Sequence, residues 1–103
     1  MYYRYEAKTK TGEYKGIFTV LNPSQRRYFN RFVKEPKWYK NNPNTDSRCW
    51  FTEEGYDKYH KIMENLISEL YNVETRLLKV ETLNNIVSKG KIQCIELLIS
   101  ETT

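Results

Sequence analysis

The first residues of the chain alternate between apolar and polar side chains, which is the pattern of a β-strand with one buried face. The strand would cover residues 2–8, and the residues that would share its apolar face are Tyr3, Tyr5 and Ala7. A turn follows at Lys10-Thr11-Gly12, where the glycine can take a positive φ. Residues 13–21 become apolar towards their end and favour a second strand. The pattern therefore predicts an N-terminal β-hairpin.

A helix is predicted to begin after Asn22, because Asn is a favoured N-cap and Pro23 at the first helical position loses no hydrogen bond. The helix would run to about Lys34 and end at Glu35-Pro36, since the residue before proline avoids helical geometry. Its inward-facing residues are predicted to be Tyr28, Phe29, Phe32 and Val33. Residues 36–48 are rich in Pro and Asn and predict a loop.

A short strand over residues 48–51 precedes the clearest periodicity in the chain. Thr52 can cap a helix that runs from about 53 to 70, with acidic residues at its positive end. Apolar residues recur there at the three- and four-residue spacing of an amphipathic helix. They are Tyr56, Tyr59, Ile62, Met63, Leu66, Ile67 and Leu70.

The C-terminal third favours strands over residues 73–82 and 91–99, the latter because of its β-branched residues. Residues 83–90 contain turn signals, and the pattern leaves loop and strand open there. The predicted order is strand, strand, helix, strand, helix, strand, strand. This order predicts an α+β fold with a small antiparallel or mixed sheet of about five strands and two helices packed on one face.

Composition and length narrow the class of protein. The 103 residues are enough for a single domain, and an aromatic fraction of 15% indicates a folded chain. The longest apolar runs are far shorter than the roughly 18 residues that a membrane helix needs. The first residues lack the apolar core of a signal peptide. We therefore expect a cytoplasmic protein that does not associate with membranes.

Charge is distributed unevenly along the chain. Residues 22–48 carry seven basic and two acidic residues, a net charge of +5, whereas residues 49–103 carry six basic and nine acidic residues, a net charge of −3. Arg27, Arg31 and Lys34 follow at helical spacing and would share one face of the first helix. Basic residues interleaved with aromatic ones can bind phosphates and stack on bases.

This segment supplies the candidate partner-binding residues, which are Arg26, Arg27, Arg31, Lys34, Lys37, Trp38, Tyr39, Lys40 and Arg48. An acidic or nucleoprotein partner is an alternative to nucleic acid. A third interpretation is a solvated helix face that only keeps a small domain soluble, with Trp38 tucked into the core.

Little else in the sequence indicates chemistry. Cys49 and Cys94 are widely separated within apolar segments, which favours two buried, reduced thiols. Asp57, His60 and Glu64 share a helix face, but this spacing alone is weak grounds for a metal site. The chain has one histidine and no glycine-rich phosphate loop. We therefore expect no cofactor, no metal site and no catalytic activity.

In composition the chain resembles the small accessory proteins of phages and mobile elements, which include anti-CRISPR inhibitors of host defence; this resemblance assigns no residues. The leading hypothesis is a non-catalytic protein that engages a nucleic-acid-handling protein complex through its basic, aromatic segment. The alternatives are a protein that binds single-stranded DNA or RNA directly and, third, a small hydrolytic enzyme.

Overall fold

The computed structural model describes residues 1–42, 46–71 and 73–98, without the side chains of Tyr39 and Lys40. These residues form six strands and four helices, two of which are single turns. The strands are β1 (Tyr2–Lys8), β2 (Tyr14–Gly16), β3 (Ser47–Phe51), β4 (Thr75–Val80), β5 (Ile86–Lys89) and β6 (Gln93–Leu97). The helices are α1 (Ile17–Val20), α2 (Pro23–Asn30), α3 (Trp38–Asn41) and α4 (Glu53–Ser68).

All six strands belong to one antiparallel sheet, in which β1 pairs with β2, β3 and β4. β4 pairs with β1 along one edge, from Tyr2↔Val80 to Ala7↔Thr75. On the other edge β2 pairs with the C-terminal half of β1 and β3 pairs at Tyr3↔Phe51. β6 and then β5 continue the sheet beyond β3. The predicted α+β class is confirmed, with six strands among the described residues instead of about five.

The additional strand is β5, in the segment where the sequence left loop and strand open. Its four residues are bounded by turn residues, and its pairing with β6 shifts register between Ile86 and Ser88. Ile86 and Val87 are both exposed, so the strand shows no alternation of buried and exposed residues. A short, bulged edge strand gives little periodicity for a sequence argument to use.

The N-terminal hairpin is present, and Tyr3, Tyr5 and Ala7 are buried as predicted. Gly12 in its turn has a φ of 90°. The prediction that the second strand reaches residue 21 is wrong, because the chain turns into α1 after Gly16. One helical turn buries Ile17 and Leu21 and exposes Thr19, which an extended strand would have placed on the same face as both.

α2 and α4 pack on the face of the sheet that carries Tyr3 and Tyr5, as expected. The ring of Tyr3 stacks on Tyr56 of α4 with a centroid distance of 3.9 Å. Phe29 of α2 and Met63 of α4 are almost fully buried in the same apolar cluster. α4 begins at the predicted Thr52 cap, whose hydroxyl accepts from the backbone N–H of Gly55, and ends two residues earlier than predicted.

Of the residues predicted to form the buried face of α4, Met63 and Leu66 are buried, whereas Tyr59 and Leu70 are partly buried. No helix of the described chain has both the length and the apolar composition that crossing a membrane requires.

The opposite face of the sheet holds two buried carboxylates. Glu6 lies between two arginines, with Oε2 2.8 Å from Nε of Arg4 and Oε1 2.7 Å from Nη2 of Arg76. Glu96 accepts the indole N–H of Trp50 at 3.1 Å. It also accepts the backbone N–H of Asn84, so the connection from β4 to β5 contacts this face.

Candidate partner-binding surface

The candidate surface is built on α2, whose start is fixed by a capping box. Asn22 accepts the backbone N–H of Gln25 at 2.8 Å, and the Gln25 side chain accepts the backbone N–H of Asn22 at 2.9 Å. Pro23 occupies the first helical position. These interactions satisfy backbone donors that a helix start otherwise leaves open, so the predicted start is confirmed.

α2 ends at Asn30, earlier than the predicted Lys34. The turn tightens beyond it, with backbone N–H groups of Arg31 and Phe32 donating to carbonyls three residues earlier. Lys34 lies outside the helix, and the seven-residue spacing that linked it to Arg27 therefore does not place it on the same face.

Four aromatic and aliphatic residues were predicted to face the core, and the structure buries two of them. Phe29 and Val33 are each 1% exposed, but Tyr28 is 39% and Phe32 45% exposed. The prediction is therefore wrong for Tyr28 and Phe32. A two-turn helix that contacts the core along one line has room to bury one row of side chains, and the neighbouring row stays at the surface.

The exposed aromatic row lies next to the basic one. Tyr28 and Phe32 form an edge-to-face pair with a centroid distance of 5.5 Å. Arg27 and Arg31, one position earlier in each turn, are both exposed. We call these four residues the α2 face. The sequence pattern placed the two arginines at the surface and the two aromatic rings in the core, whereas in the structure all four side chains are exposed side by side.

A shallow groove of about 260 Å³ borders the α2 face, between α2 and α4. Tyr28 forms part of its wall, and Leu66 of α4 and Leu70, just beyond it, contribute apolar surface. Tyr71, which follows directly in the chain, is 88% exposed. Apolar surface is thus accessible to a partner at the junction of the two helices.

The other predicted site residues are dispersed. Arg26 turns towards α1, where its Nε donates to the carbonyl of Phe18 at 3.0 Å. Lys37 is exposed and Trp38 is half-buried, both beyond α2. The side chains of Tyr39 and Lys40 lie outside the described residues, so their predicted role stays a prediction.

Arg48 is not part of the α2 face. It lies on β3 opposite Glu96 in the register. Side chains alternate along a strand, so Arg48 shares the far face of the sheet with Trp50, whereas Cys49 and Phe51 face the helices. Arg48 follows the basic loop in the sequence, and this position alone does not indicate that its side chain lies on the far face of the sheet.

The histidine and the two cysteines lie outside the α2 face. The ring of His60 stacks on Tyr56, and its Nδ1 lies 2.9 Å from the Tyr56 carbonyl oxygen. Among the described residues, no three His, Cys, Asp or Glu side chains come together as a metal-binding group. Both cysteines are free thiols, but of the two predicted to be buried only Cys94 is, and Cys49 is partly buried. Desolvation raises the pKa of Cys49 to about 12 and that of Cys94 to about 11.

Comparisons of the chain with protein-family models, curated proteins and solved structures gave no match.

Proposed function

We propose that the protein is a non-catalytic binding protein that engages a protein or nucleoprotein complex involved in nucleic-acid handling through the α2 face. The observation that supports this proposal is the side-by-side exposure of Arg27 and Arg31 with Tyr28 and Phe32. Tyrosine and arginine are enriched in the residues that dominate binding energy at protein interfaces. An acidic partner surface with an apolar projection would complement both rows.

The ring geometry favours a protein partner over a bare nucleic acid. Bases stack on exposed, open ring faces. The Tyr28–Phe32 pair is edge-to-face, with an interplanar angle of 72°, so the edge of one ring already covers part of the face of the other. The adjoining groove between α2 and α4 suits an apolar side chain, which a protein supplies and a sugar-phosphate backbone does not.

The exposed charge of α2 can attract an acidic partner without forming a buried ion pair. Arg27 donates to Ser24 at 3.3 Å within its own helix, and its side chain stays at the surface. Exposed charges of this kind steer association and select partners more than they contribute to raw affinity. The carboxylate of Glu69, which lines the groove just after α4, would discriminate against partners of uniform negative charge.

The test is co-purification with the tagged full-length chain from its host, with and without nuclease. The doubly substituted Arg27→Glu/Arg31→Glu chain is expected to lose the partner while its melting temperature changes little, since exposed charges contribute little to stability. Tyr28→Ser should weaken capture through loss of the apolar contact. The matched control is Lys58→Glu/Lys61→Glu on α4, which reverses the same number of charges on a different helix.

A nucleic-acid partner would give a different result. The affinity for a labelled single-stranded oligonucleotide would then fall steeply between about 50 and 200 mM salt. Each lost phosphate contact would reduce the slope of log affinity against log salt concentration by about one unit. A nuclease-resistant partner with shallow salt dependence supports the proposal. Normal capture by the Arg27→Glu/Arg31→Glu chain together with loss in the control would refute it.

A further inference from the structure

A cavity of about 550 Å³ lies where β2 and β3 diverge along the edge of β1. β2 pairs with β1 from Glu6 onwards and β3 pairs at Tyr3. Neither of these two described strands pairs with Arg4 or Tyr5, so the sheet is open between them. Residues of α1 and of the chain that follows α2 also line the cavity.

The inner wall of the cavity is apolar. It is formed by residues from the sheet, α1 and α4, namely Tyr5, Ile17, Phe51 and Met63. All four are buried. Folded cores are normally packed without voids of this size, whereas small-molecule sites have such volumes and combine apolar walls with a few convergent polar groups.

Two arginines reach the cavity from different elements. Arg4, whose side chain is 11% exposed, donates from Nε to Glu6 at 2.8 Å and from Nη1 to the carbonyl of Cys49 at 3.1 Å. Its Nη2 lies over Gly16, where a Cβ atom would come within 2.8 Å of it. Gly16 therefore leaves the space that this guanidinium occupies.

Arg26 contributes the second guanidinium, at the rim. Its Nε is bonded to the Phe18 carbonyl, which holds the group in place, and that bond does not involve its two terminal amino groups. A guanidinium carries five N–H donors in a planar fork that matches a carboxylate. The rim also holds Glu35 and Asp46. Their charges oppose a polyanion, so the rim suits a ligand with a single negative group.

We propose that this cavity binds a small monocarboxylate with an apolar body. The carboxylate would meet the guanidinium groups of Arg26 and Arg4, and the body would contact the wall formed by Ile17, Phe51 and Met63. An N–H group on the ligand could donate a hydrogen bond to the carboxylate of Glu35 or Asp46. This site is separate from the α2 face, because Arg27, Tyr28, Arg31 and Phe32 do not line the cavity.

The test is a calorimetric titration of the full-length chain with indole-3-carboxylate and, in a second arm, with octanoate. Saturable one-to-one binding of either compound is expected. Neutral indole should bind at least about tenfold more weakly, because it lacks the charge-assisted hydrogen bonds. Adenosine triphosphate should not compete. The aromatic and aliphatic arms distinguish the two kinds of apolar body.

Two variants locate the binding. Arg26→Gln should weaken carboxylate binding about tenfold or more, whereas Lys61→Gln, an equal loss of charge on α4, should bind as the unsubstituted chain does. Thr19→Trp places a bulky ring at an exposed position of the rim and should block entry. Thr82→Trp, at an exposed position outside the cavity, should not.

Absence of saturable binding by both carboxylates to the folded chain would overturn the proposal. Unchanged binding by both Arg26→Gln and Thr19→Trp would do so as well, because the ligand would then sit elsewhere. Preferential binding of adenosine triphosphate would contradict the charge assignment of the rim. None of these results depends on the partner that the α2 face engages.

Discussion

The indole N–H of Trp50 donates to a carboxylate oxygen of Glu96 across the β3–β6 pair, at 3.1 Å. Trp50 is 3% and Glu96 8% exposed, and both lie on the face of the sheet opposite α2 and α4. A buried carboxylate is tolerated when donors surround it. This bond therefore stabilises the face of the sheet opposite α2 and α4.

Removing the indole N–H of Trp50 should destabilise the protein, because the buried carboxylate of Glu96 then loses a hydrogen-bond donor. Trp50→Phe is expected to lower the free energy of unfolding by about 1.5–3 kcal/mol from the hydrogen bond alone, because its acceptor is charged. Urea unfolding measures the change. A double-mutant cycle with Glu96→Gln should show coupling between the two positions, and strictly additive losses would mean that the bond contributes nothing.

Leu66 should be a principal core residue of α4. It is 4% exposed within the main apolar cluster, so Leu66→Ala should lower the free energy of unfolding by about 2–5 kcal/mol. Tyr71→Ala, at a residue 88% exposed, serves as the control and should change stability by less than about 0.5 kcal/mol. A loss below about 1 kcal/mol for Leu66→Ala would contradict its assignment to the core.

Glu6 should make stability depend on acid pH. Burial by itself raises the pKa of its carboxyl, but the hydrogen bonds and charges of Arg4 and Arg76 outweigh burial and lower the pKa below its ordinary value of 4.5. The unfolded chain then binds the proton first. The stabilisation is therefore complete above about pH 4.5 and is lost as the pH falls through the lower pKa of the folded state.

The corresponding measurement is urea unfolding of the unsubstituted chain and Glu6→Gln between neutral pH and pH 3. At neutral pH the variant should be less stable by about 1.5–3 kcal/mol, because hydrogen bonds to a charged group are lost. The difference should shrink as the medium is acidified. A difference that stayed constant with pH would show that the carboxylate charge is not responsible.

Both thiols should react slowly in the folded protein. Raising the pKa of Cys49 from 9.0 to about 12 lowers its thiolate fraction roughly a thousandfold at neutral pH, and the thiolate is the reactive form. Cys94, 1% exposed, is also shielded from reagent. Labelling with a disulfide reagent should be far slower in native buffer than in guanidinium chloride. Prompt labelling of either residue in native buffer would contradict this expectation.

The elements that were predicted correctly are those in which local pattern and burial agree. The capping signals at Asn22 and Thr52 and the spacing of Met63 and Leu66 each depend on a few neighbouring residues, which a sequence displays directly. The alternation in β1 likewise predicted its buried face. The helical turn of α1 was missed because β-branched residues favour a strand locally, and tertiary contacts of Ile17 and Leu21 override that preference.

The candidate site was predictable in part. The sequence located Arg27 and Arg31 on an exposed face, but it assigned Tyr28 and Phe32 to the core, because an amphipathic pattern does not reveal how many rows of a short helix find partners. The cavity could not be predicted from the sequence, because it depends on where β2 and β3 separate along β1. Arg4 and the carbonyl of Cys49, which meet at this seam, are 45 positions apart in the chain.

The long-range pairings of β1 have a consequence for the order in which the molecule can fold. Its ladder with β4 joins residues 2–7 to residues 75–80, and its contact with β3 spans almost 50 residues. During synthesis β1 therefore leaves the ribosome well before β4, the strand that covers one of its edges. Such long-range pairing slows folding relative to helical domains of the same size. Until β4 emerges, one edge of β1, with half of its backbone donors and acceptors, is open to other chains or to chaperones.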